Sequence, residues 1–217
     1  YEIADGDWSS DVCSSDLPEN CAKCHSANGY LDYIGEDGSA AQSVDQAHPV
    51  GSVVSCVVCH NPSSHAKETA FYPSGAALDI SGGSVNCAEC HQGTRSGLTV
   101  ESAIVDLPED EVNEELGFIN VHYKIGGATR YGSEVTVGYE YSDMSYVGFY
   151  PHVEDYQLCT DCHDPHSLEI TPSECAACHP AVSDLGDLRD VRVEDTPDFD
   201  GDGDTSEKVP DYQNFPK

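Results

Sequence analysis

The amino-acid sequence predicts a fold of mostly irregular coil with short helices and one β-hairpin, folded around a closely packed core that its own side chains do not supply. Three observations predict it. Large apolar residues are scarce, with Phe 5, Met 1 and Trp 1 in 217 residues against Gly 19 and Pro 12. The pattern C-x-x-C-H recurs five times, and the chain holds 10 His, two for each recurrence.

The charge sets outer limits first. Asp+Glu number 40 against Lys+Arg 9, a formal net charge of -31. Binding to nucleic-acid phosphates or anionic membranes relies on Lys and Arg, so nucleic acid is excluded as a partner. The charge reads as the highly soluble surface of an exported protein, with steering of cationic partners as a secondary role. No stretch approaches the about 18 consecutive apolar residues that crossing a bilayer needs, so no transmembrane segment is expected. The chain opens with no positively charged, apolar leader. The expectation is therefore a periplasmic or extracellular protein whose signal peptide has been removed or lies upstream.

The repeats are CAKCH (Cys21, Cys24, His25), CVVCH (Cys56, Cys59, His60), CAECH (Cys87, Cys90, His91), CTDCH (Cys159, Cys162, His163) and CAACH (Cys175, Cys178, His179). This is the attachment pattern of c-type heme. Two thiols three residues apart reach both vinyl groups of one porphyrin as thioethers, and the adjacent imidazole falls beneath the iron as proximal ligand. A zinc site or a redox dithiol is the competing reading of an isolated CxxC pair. Neither needs the histidine that follows the second cysteine in all five copies. Five heme c groups are thus the expected cofactors, and they fill the core that the side chains leave open.

Five other histidines remain, His48, His65, His122, His152 and His166, one for the distal face of each iron. The bland reading of any one of them is an ordinary surface or core histidine; the match in number favours ligands. If all five serve, every iron is six-coordinate with two imidazoles and none has an open site. Met144 is the only thioether, so at most one heme is His/Met ligated. It falls in an expected turn and is expected to be idle. His163 and His166 are close enough in sequence that their Cα atoms span at most about 10 to 11 Å. Two imidazoles clamping one iron need more, so His166 is expected to serve a different heme from His163, and His65 a different one from His60. Such crossed ligation packs the hemes close together.

Between the motifs, Gly, Pro, Ser and Asn point to irregular segments wrapped around the cofactors. Two places look more regular. From Glu109 to Tyr123, Val112, Leu116, Ile119 and Tyr123 fall at helical spacing with acidic residues in the first turn, a helix that delivers His122 to an iron or simply packs. From Glu134 to Tyr150, β-branched and aromatic residues alternate around Ser142, Asp143 and Met144, the pattern of a β-hairpin. Its tyrosines read best as sheet packing, with stacking on porphyrins or bridging to a partner as alternatives. Near the end, Asp198, Asp200, Asp202 and Asp204 around Gly203 match positions of an EF-hand-like calcium loop, with Glu207 as an out-of-register stand-in for the last ligand. The alternative is a solvated acidic tail.

With the five motifs, CHDPH, the NVHY around His122 and the GDGD loop together, the chain resembles the multiheme c-type cytochromes of bacteria and archaea. It looks most like those of periplasmic and extracellular electron transfer, including subunits of cytochrome filaments. The resemblance covers Pro18 to Glu207 and implies that His166 and His122 are heme ligands. It implies residues 18–182 as a pentaheme cytochrome domain and 183–217 as an acidic tail. The function implied is electron transport by hopping along bis-histidine hemes, without bond-making chemistry, to redox proteins or extracellular acceptors. Two alternatives stay open: a multiheme reductase with one substrate-accessible iron, and self-association into a conductive cytochrome nanowire.

Cys13 is left over once ten of the 11 Cys are assigned to hemes. DWSSDVCSSDL, Asp7 to Leu17, resembles the conceptual translation of a common sequencing-adapter oligonucleotide. Residues 1–17 are accordingly expected to be an assembly artefact or a disordered N-terminus. The true N-terminus, with its signal peptide, would then be lost upstream, and five would be a lower bound on the hemes.

Overall fold

The computed structural model describes residues 16–108, 111–149 and 151–191. Cys13 and the acidic loop from Asp198 to Glu207 lie outside the described residues. The chain divides into two compact units, Tyr1–Pro151 and His152–Lys217.

In the first unit, α1 (Glu19–His25) and α2 (Ala27–Tyr33) are joined through a single residue, Ser26. Ser26 is extended, accepts the Gly29 N–H at 3.3 Å on its hydroxyl, and donates that hydroxyl to the Pro49 carbonyl at 2.8 Å. Satisfying an orphan N–H in this way starts α2. The two helices then pack tightly, because a Cβ on Gly29 would collide with the Ala22 carbonyl. Ala27, Tyr30, Tyr33, Ile34 and Val58 form one small apolar cluster here. Val58 comes from α3 (Cys56–Cys59), which is followed by α4 (Pro62–Ala66).

A second cluster gathers Ala70, Tyr72, Ile80, Val85, Ala88, Ala128, Tyr131, Val135 and Val137. Its base is a two-stranded antiparallel sheet, β1 (Thr69–Phe71) and β2 (Ala77–Asp79), with Ala70 opposite Leu78. Gly75, at φ 84°, makes the connecting turn possible. Helices α5 (Ser84–Cys90), α6 (Gly97–Ile104) and α7 (Gly126–Tyr131) follow, then a 3-10 turn at Gly132–Glu134. Both clusters are built from Ala, Val, Ile and Tyr, without a buried Leu, Phe, Met or Trp among the described residues.

The second unit holds 3-10 turns at Cys159–Asp161 and Asp187–Asp190 and the one-turn helix α8 (Pro172–Cys175). Val182 is the one buried apolar side chain among its described residues.

Two expected elements do not form. The described residues of 109–123 contain no helix. Asn113 accepts the Glu115 N–H at 2.8 Å and Asn120 accepts the His122 N–H at 2.9 Å, and such local side-chain bonds compete with a helical ladder. The apolar stripe also has nothing to pack on, since Val112 is 93% exposed. The hairpin of residues 134–150 forms its turn, with Met144 N–H to the Tyr141 carbonyl at 3.4 Å, but residues 134–149 contain no strand. Their backbone groups bond elsewhere: the Thr136 carbonyl accepts from Gly97, the Val135 carbonyl from the Ser74 hydroxyl, and the Val147 carbonyl from Ser133. The sheet lies instead at residues 69–79.

Candidate heme sites

Each C-x-x-C-H stretch winds into a helical turn. The histidine N–H closes onto the carbonyl of the first cysteine at 2.8 Å for His60, 3.0 Å for His91, and 2.8 Å for both His163 and His179; the first motif lies within α1. One turn places the two thiols on a single face, since residues three apart are neighbours on a helix surface. No disulfide joins any of the ten motif cysteines. Among the described residues no group of three or more His, Cys, Asp or Glu is arranged around a bare metal ion.

The histidines fall into pairs. The ring centroids of His25 and His122 are 5.9 Å apart, those of His60 and His65 6.1 Å, and those of His152 and His179 6.1 Å. Two imidazoles bound through nitrogen to opposite sides of one metal, with bonds of about 2.0 Å, place their centroids on the order of 6 Å apart. Their planes differ by 89°, 70° and 41°. Rotation about the metal–nitrogen axis leaves that angle variable, so the spread does not bar a shared iron. Each pair joins one proximal histidine of a motif to one of the remaining five. The centroid spacing at these three places is that of two imidazoles on one iron.

The ring of His65 lies 6.1 Å from that of His60, whereas the sequence spacing suggested that the two serve different hemes. Asn61 explains the return of the chain: it accepts the Ser64 N–H at 2.7 Å as the cap of α4 and donates to the Val57 carbonyl at 2.7 Å. His122 reaches His25 from a loop, with a positive φ of 89°, where a helix was expected. Met144 is 67% exposed.

Hydrogen bonds orient two motif rings. His91 Nδ1 lies 2.7 Å from the Lys124 carbonyl and His163 Nδ1 3.3 Å from the Leu168 carbonyl. A carbonyl partner fixes that nitrogen as the N–H donor and leaves Nε2 with its lone pair free. Around the motifs the chain leaves apolar groups in solvent: Val53, Val54 and Val57 beside Cys56 and Cys59, Phe118 and Tyr123 beside His122, Leu168 beside His163.

The first and third motifs meet in the first unit. Cys24 Sγ lies 3.9 Å from the Glu89 carbonyl and Cys90 Sγ 3.9 Å from the Lys23 carbonyl, a reciprocal contact of two attachment turns. The two thiols share a hydrogen bond that holds Cys24 below, and Cys90 well above, the ordinary thiol range. The variable residues next to these cysteines are paired too. Glu89, whose side chain is fully buried, binds Lys23 at 2.6 Å and Lys67 at 2.9 Å. It also accepts from Gln92 at 2.8 Å and from the Phe71 N–H at 3.2 Å. Burial alone would raise its carboxyl; the two ammonium groups outweigh that and hold it below the usual carboxylate range. Motif scanning passes over these positions, although the opposite charges in CAKCH and CAECH were a legible signal.

His48 behaves differently from the other nine histidines. It alone is buried, and its Nε2 lies 2.8 Å from Asp32 Oδ2. Burial pushes the Asp32 carboxyl up, but bonds from His48, the Asp45 N–H and Ser39 together bring it below its ordinary value. Asp32 belongs to no motif of the sequence. Elsewhere, a cavity of about 270 Å³ lined by Tyr33, Ile34, Gln42 and Lys67 includes none of the expected iron ligands.

No family model, no curated protein and no solved structure matches the chain. No helix among the described residues is long and apolar enough to cross a membrane.

Proposed function

We propose that the chain is an electron-transfer protein of the multiheme c-type cytochrome class, carrying five covalent hemes and working in the periplasm or outside the cell. The observation that carries the proposal is the set of three imidazole pairs at 5.9 to 6.1 Å, each headed by a motif histidine. When bound, the hemes supply one-electron redox chemistry.

The chain's own residues supply attachment, spacing and environment. Ten thiols on five helical turns anchor the groups, and paired imidazoles keep the iron surroundings alike in both oxidation states, which favours low potentials over His/Met ligation. The Lys23 and Glu89 contact holds the first and third attachment turns together, so neighbouring hemes are brought within hopping range. Redox proteins or extracellular acceptors are the partners this reading requires. Self-association into a conductive filament remains compatible with the exposed apolar residues, among them Val112, Phe118 and Val147.

Expression with a c-type cytochrome maturation system tests the proposal. Intact mass and pyridine hemochromogen absorbance are expected to give five hemes per chain, and potentiometric titration several low-potential one-electron steps. A matured chain carrying no heme would end the reading.

A further inference from the structure

The geometry points to Cys24 and Cys90 as a thiol pair that closes into a disulfide, joining the first and third C-x-x-C-H turns of the chain while its cysteines are free. The co-reactant class is a disulfide oxidant, such as oxidised glutathione. The inference concerns unmodified thiols and stands apart from the heme reading.

Three observations carry it. Cys24 Sγ lies 3.9 Å from the carbonyl of Glu89, and Cys90 Sγ 3.9 Å from the carbonyl of Lys23. Each thiol thus rests on the peptide group that leads into the other cysteine. The two side chains meet across the contact between α1 and α5, where the thiols bond to each other.

The contact is also fixed from its flank. Lys23 and Glu89, the residues immediately before the two cysteines, form an ion pair at 2.6 Å, and the Glu89 side chain is fully buried. Gln92 donates at 2.8 Å to both the carbonyl and the carboxylate of Glu89. Parting a buried carboxylate from its partner is strongly unfavourable, so the two turns are held in register. Cys24 and Cys90 are themselves only half-buried, which leaves them open to a reagent.

The third observation is that the pairings nearest in sequence are the poorer ones. Cys21 and Cys24 both lie within α1, and Cys87 and Cys90 both within α5. Residues three apart on a helix have Cβ atoms about 5–6 Å apart, whereas a disulfide needs about 3.5–4.5 Å. Closing a bond inside either motif would therefore distort its turn. Cys87 Sγ is engaged by the Gly83 carbonyl at 3.8 Å instead.

The step is thiol–disulfide exchange. One thiol of the pair gives up its proton and attacks the oxidant's S–S bond, forming a mixed disulfide and releasing one thiol. The other thiol then displaces the second, so the chain loses two electrons and two protons and the oxidant leaves as two thiols. While the bond is closed, neither sulfur can add to another group. A reducing thiol reopens it.

The test uses the full chain, produced without heme and equilibrated with oxidised and reduced glutathione, in buffer and in guanidinium denaturant. Alkylation, cleavage after Lys23 and Glu89 to separate the cysteines of each motif, and tandem mass spectrometry then identify the linked peptides. In buffer the Cys24–Cys90 link is expected to dominate among these four cysteines; in denaturant it is expected to give way to the short-range Cys21–Cys24 and Cys87–Cys90 links. The Cys21→Ser/Cys87→Ser variant is expected to keep the link, and Cys24→Ser to lose it. Short-range links dominating in buffer, the same map with and without denaturant, or Cys24 and Cys90 both left reduced would each overturn the inference. The heme count is read on separately matured protein, so failure of either reading is told apart from failure of the other.

Discussion

The two units of the molecule are held together by different things. Tyr1–Pro151 buries two clusters of its own side chains and a carboxylate clamped by two lysines. The described part of His152–Lys217 buries Val182 alone. It keeps its shape through carboxylates that collect backbone N–H groups: Asp161 takes those of Gln157 and Leu158, Asp164 those of His166 and Ser167, and Asp187 those of Ser183 and Asp184. Exposed bonds of this kind compete with water and add little net stability. The difference teaches how unevenly one chain can supply its own core; on the proposed heme reading, the first unit would share that role with cofactors and the second would leave it to them almost entirely.

Removing the hemes of the second unit should have the largest effect. The Cys159→Ala/Cys162→Ala/Cys175→Ala/Cys178→Ala variant is expected to mature with three hemes and to lose all protection of residues beyond 152 in limited proteolysis, while the first unit stays protected. Equal protection of both units would break the comparison.

Within the first unit, the buried charge cluster should matter most. Glu89→Ala leaves two lysines facing an apolar interior and is expected to cost about 3 kcal/mol, the low end for a broken buried pair, because Lys23 and Lys67 keep some solvent contact. Denaturant unfolding of the heme-loaded chain measures it. Gly29→Ala forces a Cβ into the Ala22 carbonyl and should cost about 1 to 3 kcal/mol in the same assay, as overpacking does.

Tyr30→Phe sharpens the comparison at the small end. It removes the hydroxyl that bonds Asn86 at 2.6 Å and is expected to cost about 1 kcal/mol, read as a lower unfolding midpoint with an unchanged heme spectrum. A changed spectrum would mean that the cluster positions the cofactors as well as stabilising the fold.

How much was legible in the sequence follows the range of the interactions concerned. The five C-x-x-C-H turns were readable because the pattern is local, and each helical turn closes within its own five residues. The helix proposed for Glu109 to Tyr123 was misread because Asn113 and Asn120 redirect the backbone and no surface receives Val112 or Phe118. The turn at Ser142 and Asp143 was legible, yet its arms were not strands, since Ser74, Gly97 and Ser133 take their carbonyls from a distance. Counting histidines singled out ten rings from local patterns and number alone. It could not reveal that Asp32, sixteen residues before His48, holds one of them in a buried bond.

A structure of the heme-loaded chain, at a resolution that shows the iron, tests the central claim most directly. The account predicts one porphyrin iron between His25 and His122, another between His60 and His65, and a third between His152 and His179, each on thioethers to the adjoining motif cysteines. Irons joining these histidines in other combinations, or motif cysteines engaged with zinc or in disulfides, would contradict it.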